Sequence, residues 1–147
     1  MPGPRITRLA RGVGAIGLLS VGALHAAWAA GSSFPAASRR QLAETVVGSP
    51  AMPGLVPTVV VAAGTTAAGI VVAGAFGGAP AAVWTRRLAG LALISRGAVG
   101  GANACRALGL PEPGDTFRRL DSMYYRPLCV TLGAAVLGAA RQDGLTG

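Results

Sequence analysis

Residues 54–78 read GLVPTVVVAAGTTAAGIVVAGAFGG, and this stretch contains no charged residue. A helix needs about 20 apolar residues to cross the roughly 30 Å of hydrocarbon in a membrane. Lipid offers no water to backbone N–H and C=O groups, so a spanning segment must satisfy them internally, as a helix does. The stretch therefore predicts one membrane-spanning helix.

Further apolar stretches lie on both sides of it, at about residues 12–30, 88–110 and 122–140. Arg96 and Arg106 interrupt the stretch at 88–110, and Arg126 interrupts the last one. All of these stretches are much longer than the about 9–11 residues of a membrane β-strand. The predicted fold is all-α: a small polytopic membrane helical bundle with four transmembrane helices, formed by residues 1–147 as a single integral membrane domain.

The composition agrees with a membrane protein. Of the 147 residues, 52% are hydrophobic and 12% are charged, and the mean hydropathy is +0.54. Soluble domains are roughly a quarter charged, so this chain could not cover a globule with solvated groups. A soluble enzyme and a disordered tail are thereby excluded, and the lipid bilayer is the expected surrounding.

The formal charge is +8, and every basic residue is an arginine. The arginines are scattered in ones and twos between apolar runs, and aromatic residues make up only 5% of the chain. A nucleic-acid surface would need a basic stripe or a platform of stacking rings. Arginines that flank membrane spans are the simpler interpretation, so no nucleic-acid partner is expected.

The arginines also predict an orientation. One side of the bundle would carry Arg5, Arg8 and Arg11 before the first span, Arg86 and Arg87 in the loop between the second and third spans, and Arg141 after the fourth. The other side would carry Arg39, Arg40, Arg118 and Arg119, partly offset by Glu44, Glu112, Asp115 and Asp121. Because the N-terminal cluster usually dominates, both termini are predicted in the cytoplasm of a cell whose inner (plasma) membrane holds the protein. Residues 31–53 and 111–121 would then face outward, with short helical turns near 38–47 and 115–120.

The first 30 residues also allow a different interpretation. A basic start, a short apolar segment and the sequence Ala27-Trp28-Ala29 are typical of a cleavable secretory signal. Cleavage there would leave three spans and an N-terminus outside the cell. His25 and Trp28 are unusual residues before a cleavage site, but the alternative stays open.

Polar side chains at unexpected positions are the candidate site. His25 and Trp28 share one face of the first span, and a histidine there could accept a proton or bind a ligand. Arg96 lies about nine residues, or ~13 Å, into the third span, and arginines so deep usually face a bundle interior or a watery cavity. Asn103 follows two turns later on the same helix face. Snorkelling of Arg96 to the membrane surface is the competing interpretation.

Axial distances place these groups at similar heights. At 1.5 Å per residue, His25 is ~20 Å above the start of the first span, and Asn103 is ~22 Å above the start of the third. Asp121 and Tyr125 lie at the mouth of the fourth span, with Asp121 or Ser122 as its N-cap. The sequence thus predicts an outward-opening polar pocket formed by His25, Arg96, Asn103, Asp121 and Tyr125.

Other motifs are weaker. Cys105 and Cys129 fall at similar depths, which leaves a disulfide between the last two spans open beside the alternative of two buried thiols. The GxxxG pairs at 74/78 and 97/101 are candidate packing seams. The chain contains no motif typical of a hydrolase, a metalloprotease or a nucleotide-binding enzyme. No cofactor and no metal are therefore expected, and a non-enzymatic role is favoured.

Several of these residues resemble a known pattern. The matching segments are His25-x-x-Trp28-Ala29-x-Gly31, Arg96-Gly97-x-x-Gly100 and Phe117-x-x-Leu120-Asp121-x-x-x-Tyr125-x-Pro127-Leu128-Cys129. They resemble a family of small bacterial membrane proteins known as domain of unknown function 3995, over about residues 10–140. Arg126 and Ser32 depart from the pattern, which tends to have Ser and Gly there. The resemblance implies four spans and no assigned activity, and it implies that His25, Arg96, Asp121 and Tyr125 act together.

Three functions remain as hypotheses. The first is binding of a small ligand or a lipid headgroup in the outward-facing pocket. The second is a structural or accessory membrane subunit, in which the polar residues serve helix packing and the partner is another membrane protein or a second copy. The third is a proton-coupled membrane enzyme or small oligomeric transporter that uses His25 and Asp121.

Overall fold

A computed structural model describes residues 4–143, with side chains from 5 to 140. The ends of the predicted domain, residues 1–3 and 144–147, lie outside the described residues. Over the described part the chain is all-α. Its helices are α1 (Pro4–Ala29), α2 (Arg39–Val46), α3 (Leu55–Ala73), α4 (Pro80–Val99), α5 (Gly101–Ala107), α6 (Asp115–Leu120), a π-helical turn (Asp121–Tyr125) and α7 (Arg126–Asp143).

The long helices α1, α3, α4 and α7 form the bundle. Helix α1 packs against α3 and α7, and α4 packs against α7. The core cluster lies where α1, α3 and α7 meet, and it consists of Ala15, Leu18, Val72 and Val136. The backbones of α4 and α7 approach so closely that a Cβ on Gly133 would lie 2.7 Å from the carbonyl oxygen of Gly90. Glycine is therefore required at this crossing.

Two of the described helices, α1 and α3, are long and apolar enough to cross a membrane. Both are mostly exposed in the isolated chain: Ile16 is 68% exposed and Val56 is 73% exposed. Helices α4 and α7 carry arginines, and the predicted number of four spans stays a prediction.

Helix α4, which corresponds to the predicted third span, begins earlier than the sequence predicts. Arg86 and Arg87 were expected in the loop before a span at 88–110, but α4 begins at Pro80 and contains both. Arg86 is fully buried. Its guanidinium donates hydrogen bonds to the carbonyl oxygens of Val71, Gly77 and Ala75 at 2.8–3.3 Å. A charged side chain tolerates burial here because the end of α3 supplies carbonyl acceptors.

The same helix also ends earlier than predicted. Gly100, with φ 78° and ψ 159°, breaks the expected span into α4 and α5. A side chain at this position would meet strain from the positive φ and would lie 3.3 Å from both Arg126 and Asp121. The guanidinium of Arg126 closes the end of α4 by donating to the carbonyl oxygens of Gly97 and Ala98, each at 2.8 Å. Arg96 consequently lies in the last turn of α4 rather than in the middle of a span.

The start of the fourth span differs as well. Asp121 and Ser122 are not N-caps of the last helix, because α6 continues through the π-helical turn into α7. The N–H of Arg126 bonds the carbonyl oxygen of Asp121, five residues back. Pro127 has no N–H to contribute, and a wider turn just before it accommodates this missing donor.

The predicted short helical turns are present as α2 and α6. Ser38 caps α2 by accepting a hydrogen bond from the N–H of Gln41. The end of α2 is joined to the segment before α6, since the N–H of Gly114 donates to the carbonyl oxygen of Gly48 at 3.0 Å. Helix α2 and the residues that follow it therefore form a cover over one end of the bundle.

The two GxxxG pairs that were candidate packing seams, 74/78 and 97/101, play different parts in the structure. Gly97 lies at the contact between α4 and α7, where a Cβ would approach the carbonyl oxygen of Arg126 to 2.8 Å. Gly74 is instead the residue that ends α3, with φ 124°. The pair at 74/78 is thus a loop motif and not a seam between helices.

Candidate functional site

A cavity of about 390 Å³ lies beneath the cover, between α1, α3, α4 and α7. This volume is within the range of pockets that hold small molecules, roughly 300–1,000 Å³. Most of its wall is apolar. The aliphatic residues that line it include Val21, Leu24, Val46, Val47, Val61 and Leu128. The polar lining residues are His25, Thr58, Arg96, Tyr125 and Cys129. The indole ring of Trp28 also lines the cavity.

His25 and Trp28 form the wall from α1. Their ring centroids are 4.7 Å apart, and the planes are inclined by 54°. Trp28 is buried, and its Nε1–H donates to the carbonyl oxygen of Phe34 at 2.7 Å. This bond holds the segment after α1 against the top of the helix, so the indole joins the cavity wall to that segment.

The tautomer of His25 follows from its partner. His25 Nδ1 lies 2.9 Å from the carbonyl oxygen of Val21. A carbonyl can only accept, so Nδ1 carries the proton. In the neutral imidazole, Nε2 is then an acceptor. The cavity wall thereby contains one ring nitrogen able to receive a hydrogen bond from a hydroxyl.

Arg96 and Asp121 form an ion pair behind the cavity. Arg96 Nη2 donates to Asp121 Oδ1 at 2.6 Å, and Asp121 Oδ2 accepts from the backbone N–H of Gly101 at 2.7 Å. Asp121 is 4% exposed, whereas the side chain of Arg96 is 35% exposed. Arg96 Nη1 is buried and has no acceptor among the described residues. The pair leaves one guanidinium donor unsatisfied beside a cavity.

Tyr125 connects the cavity to its cover. Its hydroxyl donates to the carbonyl oxygen of Thr45 in α2 at 3.1 Å. Its ring packs against Phe117, with the centroids 6.1 Å apart. The cover also contributes Met52 and Pro53 to the lining. A single side chain of the π-helical turn therefore both lines the cavity and fixes the helix above it.

The five residues predicted for the pocket do not all lie in it. His25, Arg96 and Tyr125 line the cavity together. Asp121 does not line it but holds Arg96 in place. Asn103 is exposed on α5 and donates to the carbonyl oxygen of Val99. The break at Gly100 explains this, because Asn103 no longer continues the helix face of Arg96.

Arg118 and Arg106 pair with acids other than Asp121. Arg118 is hydrogen-bonded to Asp115 and lies 3.8 Å from Glu112. Arg106 lies 3.5 Å from Glu112. The hydrogen bond that Arg118 donates to Asp115 raises the pKa of Arg118 above its ordinary value. These exposed charges form a solvated outer rim, which contributes little to stability.

Sequence patterns did not indicate the aliphatic half of the lining. Val46, Val47, Met52 and Pro53 come from a segment rich in Pro, Ser and Gly that gave no sign of packing. Cys129 lines the cavity, and both Cys105 and Cys129 are free thiols. The disulfide that the sequence left open is therefore not formed. Within residues 5–140, no group of three or more His, Cys, Asp or Glu side chains could hold a metal ion.

Comparison with known proteins gives one match. A family model described as "Protein of unknown function (DUF3995)" matches residues 18–136, which is most of the chain. No curated protein and no solved structure matches the chain. The matched range contains the cavity-lining residues of all four long helices.

Proposed function

This chain belongs to the DUF3995 family, and we propose that it is a membrane-embedded binding protein whose cavity holds the apolar chain of a small amphiphilic molecule. The family description assigns no activity. The observation that carries the proposal is the mainly aliphatic cavity of about 390 Å³ with a partly unsatisfied arginine in its wall. Ligand pockets typically combine such apolar walls with a few polar groups.

The membrane setting in this proposal comprises four spans. Helices α1, α3, α4 and α7 have 26, 19, 20 and 18 residues, close to the about 20 residues that a span requires. Large apolar side chains such as Ile16, Val60 and Leu91 are exposed on the outside of the bundle, where lipid would cover them. Both termini face the cytoplasm, α1 is retained, and the cover faces outward. The membrane is the plasma membrane.

The polar groups favour a ligand with an uncharged head. Asp121 already neutralises Arg96, so a second anion would gain little attraction there. An unsatisfied buried donor costs about 1–3 kcal/mol. The Arg96 side chain is 35% exposed although its Nη1 is buried, so a rotation of the guanidinium would let a ligand oxygen accept from Nη1. His25 Nε2 could accept from a hydroxyl. The chemical class that fits best is a long-chain alcohol or ester with its hydrocarbon among the aliphatic residues.

Two neighbouring valines of α3 provide a matched test. Val61 lines the cavity, whereas Val60 is 63% exposed on the outside of the bundle. Val61→Phe fills the cavity, and Val60→Phe adds the same ring where lipid would be. We expect the wild-type chain and Val60→Phe to retain a molecule of defined extra mass after gentle extraction, measured by native mass spectrometry. Val61→Phe should retain at least about tenfold less, and equal retention by the two variants would contradict the proposal.

The contact between Arg96 and Asp121 favours one second candidate, a structural or accessory subunit. This contact holds α4 and the π-helical turn together, as packing residues do. A bare chain, or a chain extracted with a second protein, would support this function in place of ligand binding. In that case Val60→Phe and Val61→Phe would differ only in stability.

A further inference from the structure

We infer that the end of the bundle where α3 joins α4 binds the anionic headgroups of membrane phospholipids. This surface is separate from the cavity and requires only that the chain lies in a membrane. It contains an excess of arginines. Its surface arginines among the described side chains are Arg5, Arg8, Arg11 and Arg87, whereas Arg86 lies buried beneath them.

The packing places these arginines at one end. A Cβ on Gly14 of α1 would lie 3.3 Å from Val72 Cγ1 of α3, and Arg11 Nη1 lies 3.6 Å from the position that a Cβ of Gly74 would occupy. The first turns of α1 therefore extend past the end of α3. Arg5 and Arg8 lie about 9 and 5 Å beyond Arg11 along the helix axis, and both are exposed. Among described side chains, the carboxylates all lie in or beside α2, α6 and the π-helical turn, toward the opposite end.

Exposed aromatic rings accompany the charges. Phe76 is 76% exposed in the turn between α3 and α4, and it is the single non-glycine residue with a positive φ, 64°, among those described. The buried guanidinium of Arg86 bonds the carbonyl oxygens on either side of it, those of Ala75 and Gly77. The turn is thus fixed in a conformation that bulky residues rarely adopt, with its ring outside the protein.

Trp84 of α4 is a second exposed aromatic ring beside an arginine. It is 59% exposed, and the guanidinium carbon of Arg87 lies 5.4 Å from the centre of its ring. Tryptophan is enriched at the headgroup level of membranes, and a guanidinium binds phosphate oxygens through paired N–H groups. An arginine held over an exposed indole therefore has the chemistry of a phospholipid headgroup contact.

The neighbouring surface favours a membrane over an acidic protein as the partner. Beyond the arginines and rings, α3 and α4 expose aliphatic residues, among them Ile70, Leu88 and Leu91. A basic and aromatic rim next to an aliphatic flank follows the order of layers in a bilayer, from headgroup to hydrocarbon. Basic residues near an anionic leaflet each contribute a factor of about five in binding.

The test uses Trp84 as the reporter. In the variant Trp28→Phe, Trp84 is the remaining indole. This variant is placed in vesicles of phosphatidylcholine mixed with phosphatidylglycerol, with bromine on the chains of either one lipid or the other. We expect brominated phosphatidylglycerol to quench Trp84 about twofold or more above its share of the lipid, with the excess lost in high salt. Equal quenching by the two lipids at equal bromine content would overturn the inference.

Matched variants identify the residues. Arg5→Gln, Arg8→Gln and Arg87→Gln together should abolish the excess quenching, whereas Arg39→Gln with Arg40→Gln at the opposite end should leave it unchanged. The wild-type chain supplies a second measurement that does not depend on Trp28→Phe. In bilayer discs of the same mixture, native mass spectrometry should show phosphatidylglycerol retained over phosphatidylcholine by the wild type and not by the triple variant. Equal retention of both lipids by the wild type would refute the proposed surface.

Discussion

Asp121 binds Arg96 across 25 residues of sequence, with 2.6 Å between carboxylate oxygen and guanidinium nitrogen. The second carboxylate oxygen accepts from the N–H of Gly101, which begins α5. One buried side chain therefore joins the end of α4, the start of α5 and the π-helical turn. Arg96, which lines the cavity, is thus positioned by a residue that does not line it.

Removal of this carboxylate should destabilise the bundle strongly. Asp121→Ala leaves the Arg96 guanidinium and the Gly101 N–H without an acceptor, which should cost about 3 kcal/mol. Thermal and denaturant unfolding in detergent would measure the loss. The control is Glu44→Ala, which removes an exposed partner of Arg40 and should cost less than about 1 kcal/mol. Similar losses in both variants would show that the buried pair contributes no more to stability than an exposed pair.

The hydroxyl of Tyr125 should control how firmly the cover is held. Tyr125→Phe removes the hydrogen bond to Thr45 and should lower the free energy of unfolding by about 0.5–1.5 kcal/mol. Tyr124→Phe is the matched control, because Tyr124 is adjacent and 59% exposed. Hydrogen exchange of the α2 amides should accelerate in the first variant alone. Unchanged hydrogen exchange in Tyr125→Phe would show that the tyrosine hydroxyl does not hold the cover in place.

A bound ligand should protect Cys129 from alkylation. Cys129 lines the cavity and Cys105 does not, and both are free thiols. We expect maleimide to label Cys129 several-fold faster after delipidation than in the gently extracted protein. Cys105 is an internal control whose rate should stay constant. If both rates respond equally, the change reports loosening of the bundle and not an occupied cavity.

Because Arg86 is buried, its planar guanidinium with several N–H donors should be essential for stability. Arg86→Lys keeps the charge, but one ammonium cannot reach the same carbonyl oxygens at the end of α3 as a planar guanidinium. We expect a loss of about 2–3 kcal/mol from carbonyls and charge left unsatisfied. Arg87→Lys is the neighbouring control and should change unfolding by less than about 0.5 kcal/mol. Equal melting temperatures of the two variants would contradict this role of Arg86.

The sequence predicted the helical class because its apolar runs are much longer than a membrane β-strand and match the length of a spanning helix. It also located His25, Arg96 and Tyr125, since isolated polar residues in such runs stand out. Span boundaries were wrong around Arg86, because charge was interpreted as a loop. A buried arginine is stable there only through carbonyl groups of α3, and no pattern along the chain reveals that contact.

The cavity itself was predicted as polar, whereas its wall is mainly aliphatic. The polar residues were conspicuous, and the valines that surround them looked like ordinary span residues. Val46 and Met52 belong to a connecting segment whose position over the cavity depends on Gly48 and Tyr125. Asn103 was misplaced for a backbone reason, because the break at Gly100 turns α5 away from the helix face of Arg96.

The hydrogen bonds of Arg86 also bear on how the protein is made. Val71 and Gly77 accept from Arg86 only when α3 and α4 lie side by side as a closed hairpin. A lone α4 entering lipid would carry a bare guanidinium, and a lone α3 would carry open carbonyls at its end. In the proposed four-span arrangement, the pair of α3 and α4 is the smallest unit that can enter the bilayer with these groups satisfied. For this arrangement, we therefore expect α3 to enter the membrane together with α4 and not ahead of it.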